Sequence, residues 1–564
     1  MNDNQLEAKK KENHITDFKF DNEDRRIILT FIGFAFVAIL LGTVAGFIQM
    51  MQRSGWIDLP NWLTYYQLLT FHGVSLALVF TTFFIMGFLY SGVAKTLGGK
   101  MPKATRTLSW IGFYSMAIGT IIAAILILTN EGTVLYTFYA PMQASGWYYV
   151  GLALLIVGSW IVCSGILVAY VRWRKANRGK PSPLFTYMTV ATIILWLHAS
   201  LAVAISVVVL YIPWAFEFVP RINVALTRTL FWYFGHALVY FWLLPAYIYW
   251  YVNIPQIIGG KIFSSSLPRL TFILLILFSV PVGIHHQLNE PGILSFFKFL
   301  QVVLTMAVVV PTLITAFSIL ATFELTGRSR GGKGLFGWIG KLPWKDARFF
   351  AAVMGMIIFI PGGAGGIINA SYQLNQMVHN TWWVTGHFHL TIATTVILTF
   401  FAISYWLIPV LTRRVFTKRL NRLAIVQTIL WTIGMILLGG TMHFAGLKGA
   451  PRRTAYSLYG DHELAFTWMN YSQVIAVGGV IVFIALLLIL YIWVNLLFFA
   501  PKLDQSIEYP IGVINERAEE PPKILERWTV WIGVSIALSI IAYAVPIYQL
   551  IVNQDPGSLP IRTW

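Results

Sequence analysis

The sequence predicts an all-α protein that crosses a membrane about thirteen times. Hydrophobic residues make up 57% of the 564 residues and charged residues only 11%, and the mean hydropathy is +0.70. A water-soluble protein of this size needs far more polar surface. Apolar stretches of about 20 residues, the length that spans a bilayer as a helix, recur along nearly the whole chain.

The predicted spans follow one another with mostly short connections. Residues 1–26 precede them and residues 553–564 follow them, so we expect two tails around one transmembrane domain at 27–552. The single cysteine, Cys163, lies inside the fourth span, where it is interpreted as a packing residue. The spans are predicted near 27–50, 67–92, 108–128, 147–171, 184–212, 228–252, 268–288, 298–325, 348–373, 380–410, 423–447, 470–499 and 528–552.

The formal net charge of +18 follows the predicted topology. With the N-terminus in the cytoplasm, the inner segments hold 32 of the 40 Lys and Arg residues and the outer segments hold 8. This asymmetry is the positive-inside rule, and it predicts a cytoplasmic N-terminus and an external C-terminus. The basic charge therefore does not indicate a nucleic-acid partner. We expect a multi-pass protein surrounded by lipid in a bacterial or archaeal plasma membrane.

Six of the eleven histidines are predicted to lie at one depth, in the outer third of the membrane. A lone intramembrane histidine is most simply a helix–helix hydrogen bond. Six at one level point to function, because polar groups in lipid are costly and neutral imidazole is the commonest metal ligand. The six are His72, His236, His285, His286, His387 and His389.

Helical geometry divides these histidines into groups. His285 and His286 follow Pro281 and Gly283, which loosen the helix, and His236 could complete a three-histidine site suited to copper or zinc. His387 and His389 project about 200° apart on one helix and cannot bind the same ion. Each can instead serve a separate flat cofactor. His72 with His389 would hold a six-coordinate haem, and His387 alone would hold a second haem open to a gas ligand.

The sequence resembles the catalytic subunit I of haem–copper terminal oxidases, from end to end. The stretches that carry the resemblance are "FHG" at 71–73, "GHALVY" at 235–240, "HH" at 285–286, "GHFH" at 386–389 and "PRR" at 451–453. Within this family the sequence resembles the B-type branch of the cytochrome c oxidases. This closer resemblance rests on the number of spans and on "RTLFWYFGH" at 228–236 and "FIPGGAGGIINAS" at 359–371.

The resemblance implies the fold of an oxidase subunit I bundle, one copper ion on His236, His285 and His286, and two haems. His387 would bind a high-spin haem of a- or o-type, and His72 with His389 a low-spin haem of b-type. It also implies a covalent bond between His236 and Tyr240, whose spacing of four residues puts both on one helix face. The phenol of Tyr240 would supply an electron and a proton during O–O cleavage.

Proton transfer would use hydroxyl groups, since no Asp or Glu falls in the middle of a predicted span. Tyr240, Tyr247 and Tyr251 form one stripe with His236 on the sixth helix. A second stripe runs along the eighth helix. Such side chains commonly bond to the backbone, but the family has a tyrosine-and-threonine channel in the same places. The remaining residues of this predicted path are Thr305, Thr312, Thr315 and Ser264.

Positive charge on the outer side is sparse and therefore informative. Arg452 and Arg453 are adjacent there, and Arg228 begins the sixth helix from that side. A planar guanidinium suits carboxylates, so we interpret the three as partners of haem propionates, with snorkelling to the interface as the alternative, chiefly for Arg228. Close relatives often carry an aspartate at the position of Asn375, near His379.

The expected activity is the four-electron reduction of O2 to water, coupled to proton translocation. A dinuclear copper site for incoming electrons needs cysteines that this chain lacks, so the resemblance implies a partner subunit II that carries it, with cytochrome c as donor. The alternatives are a quinol-oxidising member, a nitric oxide reductase of the same superfamily, and a transporter or channel that relays protons without redox chemistry. The nitric oxide reductase would have glutamates near the site and no tyrosine at 240.

Overall fold

Thirteen long helices build the described part of the chain in this computed structural model, which describes residues 15–455, 459, 462–553 and 557–562. The predicted number of spans is confirmed. Residues 1–14 of the predicted N-terminal tail, and 554–556, 563 and 564 of the C-terminal tail, lie outside the described residues. The helices are α1 Asn22–Arg53, α2 Tyr65–Thr96, α3 Lys103–Leu128, α4 Gly146–Ala176, α5 Leu184–Ala215, α6 Val224–Ile257, α7 Ser266–Gln287, α8 Ser295–Ser329, α9 Ala347–Ala370, α10 Trp382–Thr412, α11 Lys418–Leu447, α12 Glu463–Phe499 and α13 Trp528–Val552.

Several spans depart from regular α-helix at positions that matter for the interior. A π-helical turn, Val74–Phe80, follows His72 in α2, and another, Thr391–Val396, follows His389 in α10. Helix α7 is α-helical only over Ser266–Ser279, and it ends in a short 3-10 turn, Ile284–Gln287. Such local irregularities redirect side chains within a helix, and they are frequent at functional sites. Other π-helical turns lie at Ser206–Tyr211, Tyr249–Asn253, Ile436–Gly440 and Asn495–Phe499.

Four two-residue strands in the described part of the chain join the two tails to connections between helices. The strands β1 Ile15–Thr16 and β3 Ser506–Ile507 pair antiparallel, and β2 Met142–Gln143 and β4 Ile561–Arg562 pair parallel. Each pair joins segments that an alternating path through thirteen helices puts on the same side of the membrane. The isolated bridge between Thr381 and Pro451 also joins two connections of one side.

Buried ion pairs connect neighbouring segments at the helix ends, on the side of the membrane that carries most of the positive charge. Arg269 lies 2.6 Å from Glu526, and both side chains are almost fully buried. The same carboxylate accepts a hydrogen bond from the Ser182 backbone N–H at 3.0 Å. At the start of α1, Arg106 lies 2.6 Å from the fully buried Asp24. Breaking either pair would leave an uncompensated buried charge, which costs several kcal/mol.

Candidate active site

All six histidines line one internal cavity of about 1070 Å³. Its outer end is lined by Arg452 and Arg453, and it extends inward as far as Trp338 and Trp344. The walls are overwhelmingly apolar, and no Asp or Glu lines it among the described residues. The structure therefore brings the six imidazoles together, as predicted, from four different helices.

Three histidines form a compact cluster at one end of the layer. The ligand atoms offered by His236, His285 and His286 all lie within 4.8 Å of one another. His236 Nδ1 is 3.4 Å from His286 Nε2. A hydrogen bond orients the His285 ring, since its Nδ1 lies 3.0 Å from Thr305 Oγ1. Three neutral nitrogens at this spacing suit copper or zinc with an open coordination position.

The break in α7 is what brings the two adjacent histidines to the cluster. Beyond Ser279 the helix unwinds, and the Gln301 side-chain oxygen accepts hydrogen bonds from the backbone N–H groups of Gly283 and Ile284 at 2.9 and 2.7 Å. Gly283 also packs directly on the backbone of α6, since a Cβ there would lie 2.3 Å from the Trp232 carbonyl oxygen. A side chain at this position would push the histidine turn away from His236.

Tyr240 lies beside His236 on the same face of α6. Their ring centroids are 5.0 Å apart. His236 Nε2 is buried and has no hydrogen-bond partner among the described residues. A buried polar nitrogen without a partner is unfavourable, so this atom is a natural position for a further bond. The covalent link between the two side chains stays a prediction.

His72 and His389 face each other across a gap. Their rings are nearly parallel, 9° apart, with centroids separated by 6.4 Å. His72 Nδ1 lies 2.8 Å from the Gly42 carbonyl oxygen and His389 Nδ1 lies 2.8 Å from that of Thr385, which leaves both Nε2 atoms free. Two imidazole nitrogens at about 2 Å on either side of one metal ion would put the ring centres roughly 6 Å apart. The pair therefore fits a haem iron with two axial histidines.

Glycines in neighbouring helices make room for these rings. A Cβ on Gly46 of α1 would lie 2.3 Å from His72 Nδ1. A Cβ on Gly366 of α9 would lie 2.8 Å from His387 Cε1. His387 Nδ1 is 2.7 Å from the Gly362 carbonyl oxygen, so its Nε2 is also free. Helix α10 thus carries two cavity-lining imidazoles, His387 and His389, each with its Nδ1 bonded to a backbone carbonyl oxygen.

The outer end of the cavity is strongly basic. Burial and the neighbouring Arg453 lower the pKa of Arg452 to about 10. Arg452 donates to the Asn380 side-chain oxygen at 2.9 Å, a neutral partner that leaves its charge uncompensated. Burial, together with Arg452 and Arg228, lowers the pKa of His379 to about 4. An anionic group here would relieve the repulsion among these cations, as a haem propionate would.

Arg228 has a different environment from the other two predicted propionate partners. Its guanidinium lies 3.1 Å from the Glu290 carboxylate and stacks over the Tyr139 ring. Among the described residues it does not line the cavity, whereas Arg452 and Arg453 do. Its assignment to a propionate stays a prediction, and the ion pair with Glu290 offers a structural role instead.

Arg53 is a cavity residue that the sequence analysis did not identify. It lies at the outer end of α1, 6% exposed, with its guanidinium 3.7 Å from the Trp382 ring centre. Its hydrogen-bond partners are neutral: Thr454 Oγ1 at 3.2 Å, the Pro451 carbonyl oxygen at 3.4 Å and the Tyr65 hydroxyl at 3.5 Å. In the part of the chain that the structure describes, no carboxylate pairs with it. In the sequence, Arg53 stands out only as one of the few Lys and Arg residues on the outer side, which indicates the topology but not a position in the cavity.

The predicted proton path follows an inward extension of the same cavity. Tyr240, Tyr247 and Thr312 line it, as do Thr305 and Thr315. Tyr251 continues the line, donating to Thr315 Oγ1 at 3.1 Å. The threonine hydroxyls also bond to their own helix, as Thr312 does to the Val308 carbonyl oxygen at 3.1 Å, but each keeps acceptor capacity. Ser264 accepts from the backbone of Ser266 and Leu267 at the start of α7 and does not line the cavity.

Comparison with known proteins identifies the same kind of molecule. The family described as cytochrome c and quinol oxidase polypeptide I matches residues 26–481. Cytochrome c oxidase subunit 1 of Thermus thermophilus is 38% identical over 94% of this chain and 96% of its own length. The corresponding protein of Thermostichus vulcanus is 24% identical over 78% of each chain. A solved structure of a heme-copper terminal oxidase dimer has a TM-score of 0.91 and 34% identity, with 96% of each chain covered.

The fold, the shared histidine cavity and these similarities define a multi-pass haem–copper respiratory oxidase. The chain belongs to the cytochrome c and quinol oxidase polypeptide I family. It is a catalytic subunit that reduces O2 and couples this reaction to proton translocation. The resemblance, the fold class and the enzyme class predicted from the sequence are confirmed.

Proposed function

We propose that His236, His285 and His286 bind one copper ion opposite a high-spin haem held by His387, and that O2 is reduced between them. The observation that carries this proposal is the convergence of three ligand nitrogens within 4.8 Å in an apolar cavity. When bound, the haem and copper would supply the redox chemistry that binds O2 and splits the O–O bond. The chain itself positions the ligands, excludes bulk water and delivers protons.

His72 and His389 are proposed to hold the low-spin haem, a b-type haem, which when bound would supply electrons for the O2 site. Arg453, Arg452 and Arg53 would bind haem propionates at the outer end, each providing a cation that the described protein leaves without a carboxylate partner. The apolar inward branch, lined by Leu320, Phe323 and Trp338, supports an a- or o-type high-spin haem, because it can accommodate a long hydrocarbon substituent.

The side chains of this subunit would carry protons from the inner side to Tyr240. Tyr251 and Thr315 are hydrogen-bonded at the inner end, and Tyr247 and Thr312 line the space between them and Tyr240. Bound water between these hydroxyls would complete the route. Tyr240 would then donate its phenolic proton and an electron at the O2 site, and recover both afterwards. Ser264 would stand at the inner end of this path.

Electrons are proposed to come from cytochrome c through a small subunit II with a dinuclear copper site. The one cysteine of this chain, Cys163, is buried between helices and cannot provide such a site. The curated relative from Thermus thermophilus is named as a cytochrome c oxidase subunit. A quinol donor is the alternative, and oxidation assays with each donor distinguish the two.

We infer a plasma-membrane location with the N-terminus in the cytoplasm and the C-terminus outside. The distribution of Lys and Arg supports this orientation. The strand pairings join connections of one side, which supports the alternation of the thirteen spans. Residues 27–552 would form the catalytic domain, with residues 1–26 and 553–564 as tails.

A nitric oxide reductase is the nearest competing activity. Such an enzyme is expected to carry glutamates beside its metal centre and to lack the tyrosine at 240. Here Tyr240 lies beside His236, and no carboxylate lines the cavity among the described residues. The geometry therefore favours O2 over nitric oxide as the substrate.

The metal content of His285→Ala tests the proposed function. We expect the purified variant to lose the copper of this subunit, because the structure supplies only two further imidazoles at the cluster. The low-spin haem spectrum should remain. His462→Ala, outside the cavity, serves as the control. Full copper content and normal turnover in His285→Ala would refute the assignment, and a purified wild-type complex without a haem difference spectrum would refute the oxidase itself.

A further inference from the structure

A second histidine–tyrosine pair lies next to the proposed copper cluster, outside the residues assigned above. His198 is near the middle of α5, and its Nε2 lies 2.9 Å from the Tyr233 hydroxyl on α6. His198 Nδ1 lies 3.2 Å from Ser535 Oγ of α13, and the Tyr233 hydroxyl lies 3.1 Å from Ser539 Oγ. Four polar side chains from three helices thus meet inside the membrane.

A purely structural explanation is that these groups join α5, α6 and α13 by hydrogen bonds. Interhelical hydrogen bonds in membranes contribute on average less than about 1 kcal/mol each. This is little stabilisation for four polar groups placed within the membrane. Ser535 and Ser539 are buried, and Tyr233 is 9% exposed. Ionisable side chains at this depth are by default candidates for function.

The position of Tyr233 connects the pair with the metal site. Tyr233 is three residues before His236, so the two lie on the same face of α6 one turn apart. The preceding residue, Trp232, stacks on the His286 ring with centroids 3.9 Å apart. The Tyr233 ring also contacts that of Tyr543 at 4.8 Å, and the Tyr543 hydroxyl lies against Gly283 in the histidine turn. Tyr233 is therefore linked to the cluster through the backbone of its neighbour Trp232, which stacks on His286, and through Tyr543, which contacts the histidine turn.

The hydrogen bonds determine where the phenolic proton can go. The Tyr233 hydroxyl has one proton and two neighbours, Ser539 Oγ and His198 Nε2. A serine hydroxyl can accept a hydrogen bond but cannot hold a second proton, whereas imidazole can become imidazolium. His198 becomes doubly protonated only if Nδ1 already carries a proton, and Ser535 Oγ is in position to accept that hydrogen bond.

We propose that Tyr233 is a second redox-active phenol of this oxidase and that His198 is its proton acceptor. This inference rests on the proposed function of the copper and haem site. When the oxidised O2-reducing centre lacks an electron from the donor, Tyr233 supplies one. The phenolic O–H bond breaks, its proton binds His198 Nε2, and a neutral tyrosyl radical and an imidazolium remain. The next electron from the donor reduces the radical, and the proton returns to the phenolate oxygen.

Electron paramagnetic resonance of the purified, haem- and copper-loaded complex tests the proposal. The oxidised complex is mixed with hydrogen peroxide without reductant and freeze-quenched. We expect a tyrosyl signal that falls in Tyr233→Phe to the contribution of Tyr240, the other proposed redox phenol. The same fall is expected in His198→Leu, which keeps the phenol but removes the base, whereas a merely structural phenol at 233 would contribute no signal to lose. Tyr543→Phe is the matched control, because Tyr543 is an adjacent buried phenol that has no histidine partner among the described residues, and its variant should keep the signal.

A radical signal of unchanged intensity in Tyr233→Phe or in His198→Leu would overturn the proposal. Haem spectra and copper content of every variant show whether the centre is intact, so failure of the proposed function is recognised separately. If a variant does not assemble, Tyr233→3-fluorotyrosine decides the question with almost no change in shape. Fluorine hyperfine splitting in the signal supports a radical at this position, and a spectrum without it contradicts one.

Discussion

Arg53 is a buried cation whose described partners are all neutral. Burying a guanidinium without a counter-ion is strongly unfavourable, so its place in the cavity wall indicates that an anion belongs beside it. The propionates of the low-spin haem would supply that charge, since Arg53 and His72 line the same cavity. Its cation–π contact with Trp382 holds the guanidinium in place.

Replacing Arg53 by Gln should lower the midpoint potential of the low-spin haem, because the loss of a positive charge makes reduction less favourable. A unit charge about 8 Å away at an effective dielectric constant of about 20 contributes about 2 kcal/mol. For one electron this corresponds to a shift of about 90 mV. Redox titration of the low-spin band measures it, with Arg221→Gln on the outer surface as control. An unchanged potential would place the propionates elsewhere.

Single residues differed greatly in how well the sequence predicted them. The six histidines could be recognised because imidazoles are rare in apolar spans and their depths follow from the topology. The contacts that orient them could not be recognised: the Thr305 hydroxyl beside His285, or the absent side chain at Gly46 beside His72. These contacts depend on which helices become neighbours and on how each helix is rotated about its axis. The pattern of apolar spans in the sequence gives no information on either.

The approach of α1 to α2 is set by a glycine at the point of contact. A Cβ at Gly46 would lie 2.3 Å from His72 Nδ1, well inside van der Waals contact. Gly46→Ala should therefore displace the His72 ring and weaken or abolish the low-spin haem signal while the protein still inserts. Gly33→Ala, on the same helix with nothing within 4 Å of the added methyl, should leave the spectrum unchanged. A normal low-spin spectrum in Gly46→Ala would show that α1 can move aside freely.

The face of α8 that carries Thr312 is the proposed proton route. Thr312→Val keeps the shape of the side chain and removes the hydroxyl that would hold water in line. Haem spectra should be unchanged, whereas proton uptake and turnover should fall together by about tenfold, equivalent to about 1.4 kcal/mol of barrier. Thr322→Val on the same helix is the control, since its hydroxyl bonds to Ser318 and lies outside the cavity. Equal turnover in both variants would mean that protons take another path.

Elements were predicted from the sequence as spans but not in their internal detail. Apolar length and composition gave all thirteen helices, with ends within several residues of the observed ones. The unwinding of α7 was suggested by Pro281 and Gly283, and the structure adds Gln301 as the group that satisfies the freed backbone. The π-helical turns in α2 and α10 have no comparable signal, because they depend on packing between helices.

At the scale of the whole molecule, topology and electrostatics agree. The alternation of thirteen spans puts paired connections on common sides, and the Lys and Arg residues are concentrated on one of these sides. The lining of the cavity is mostly apolar, and the histidine layer, the hydroxyl stripes and the outer arginines supply most of its polar groups. Charge asymmetry and histidine depth made the layout of the molecule predictable from the sequence. The cavity that unites the sites emerged only from the folded bundle.

The central claim is that α10 separates two haems and provides one ligand to each. The most direct test compares His387→Ala and His389→Ala by reduced-minus-oxidised and carbon-monoxide difference spectra of the purified complex. His389→Ala should lose the low-spin signal and keep the carbon-monoxide-binding haem, because only the ring paired with His72 is removed. His387→Ala should lose the carbon-monoxide-binding haem and keep the low-spin signal. If both variants lose the same haem, the assignment of the two faces is wrong.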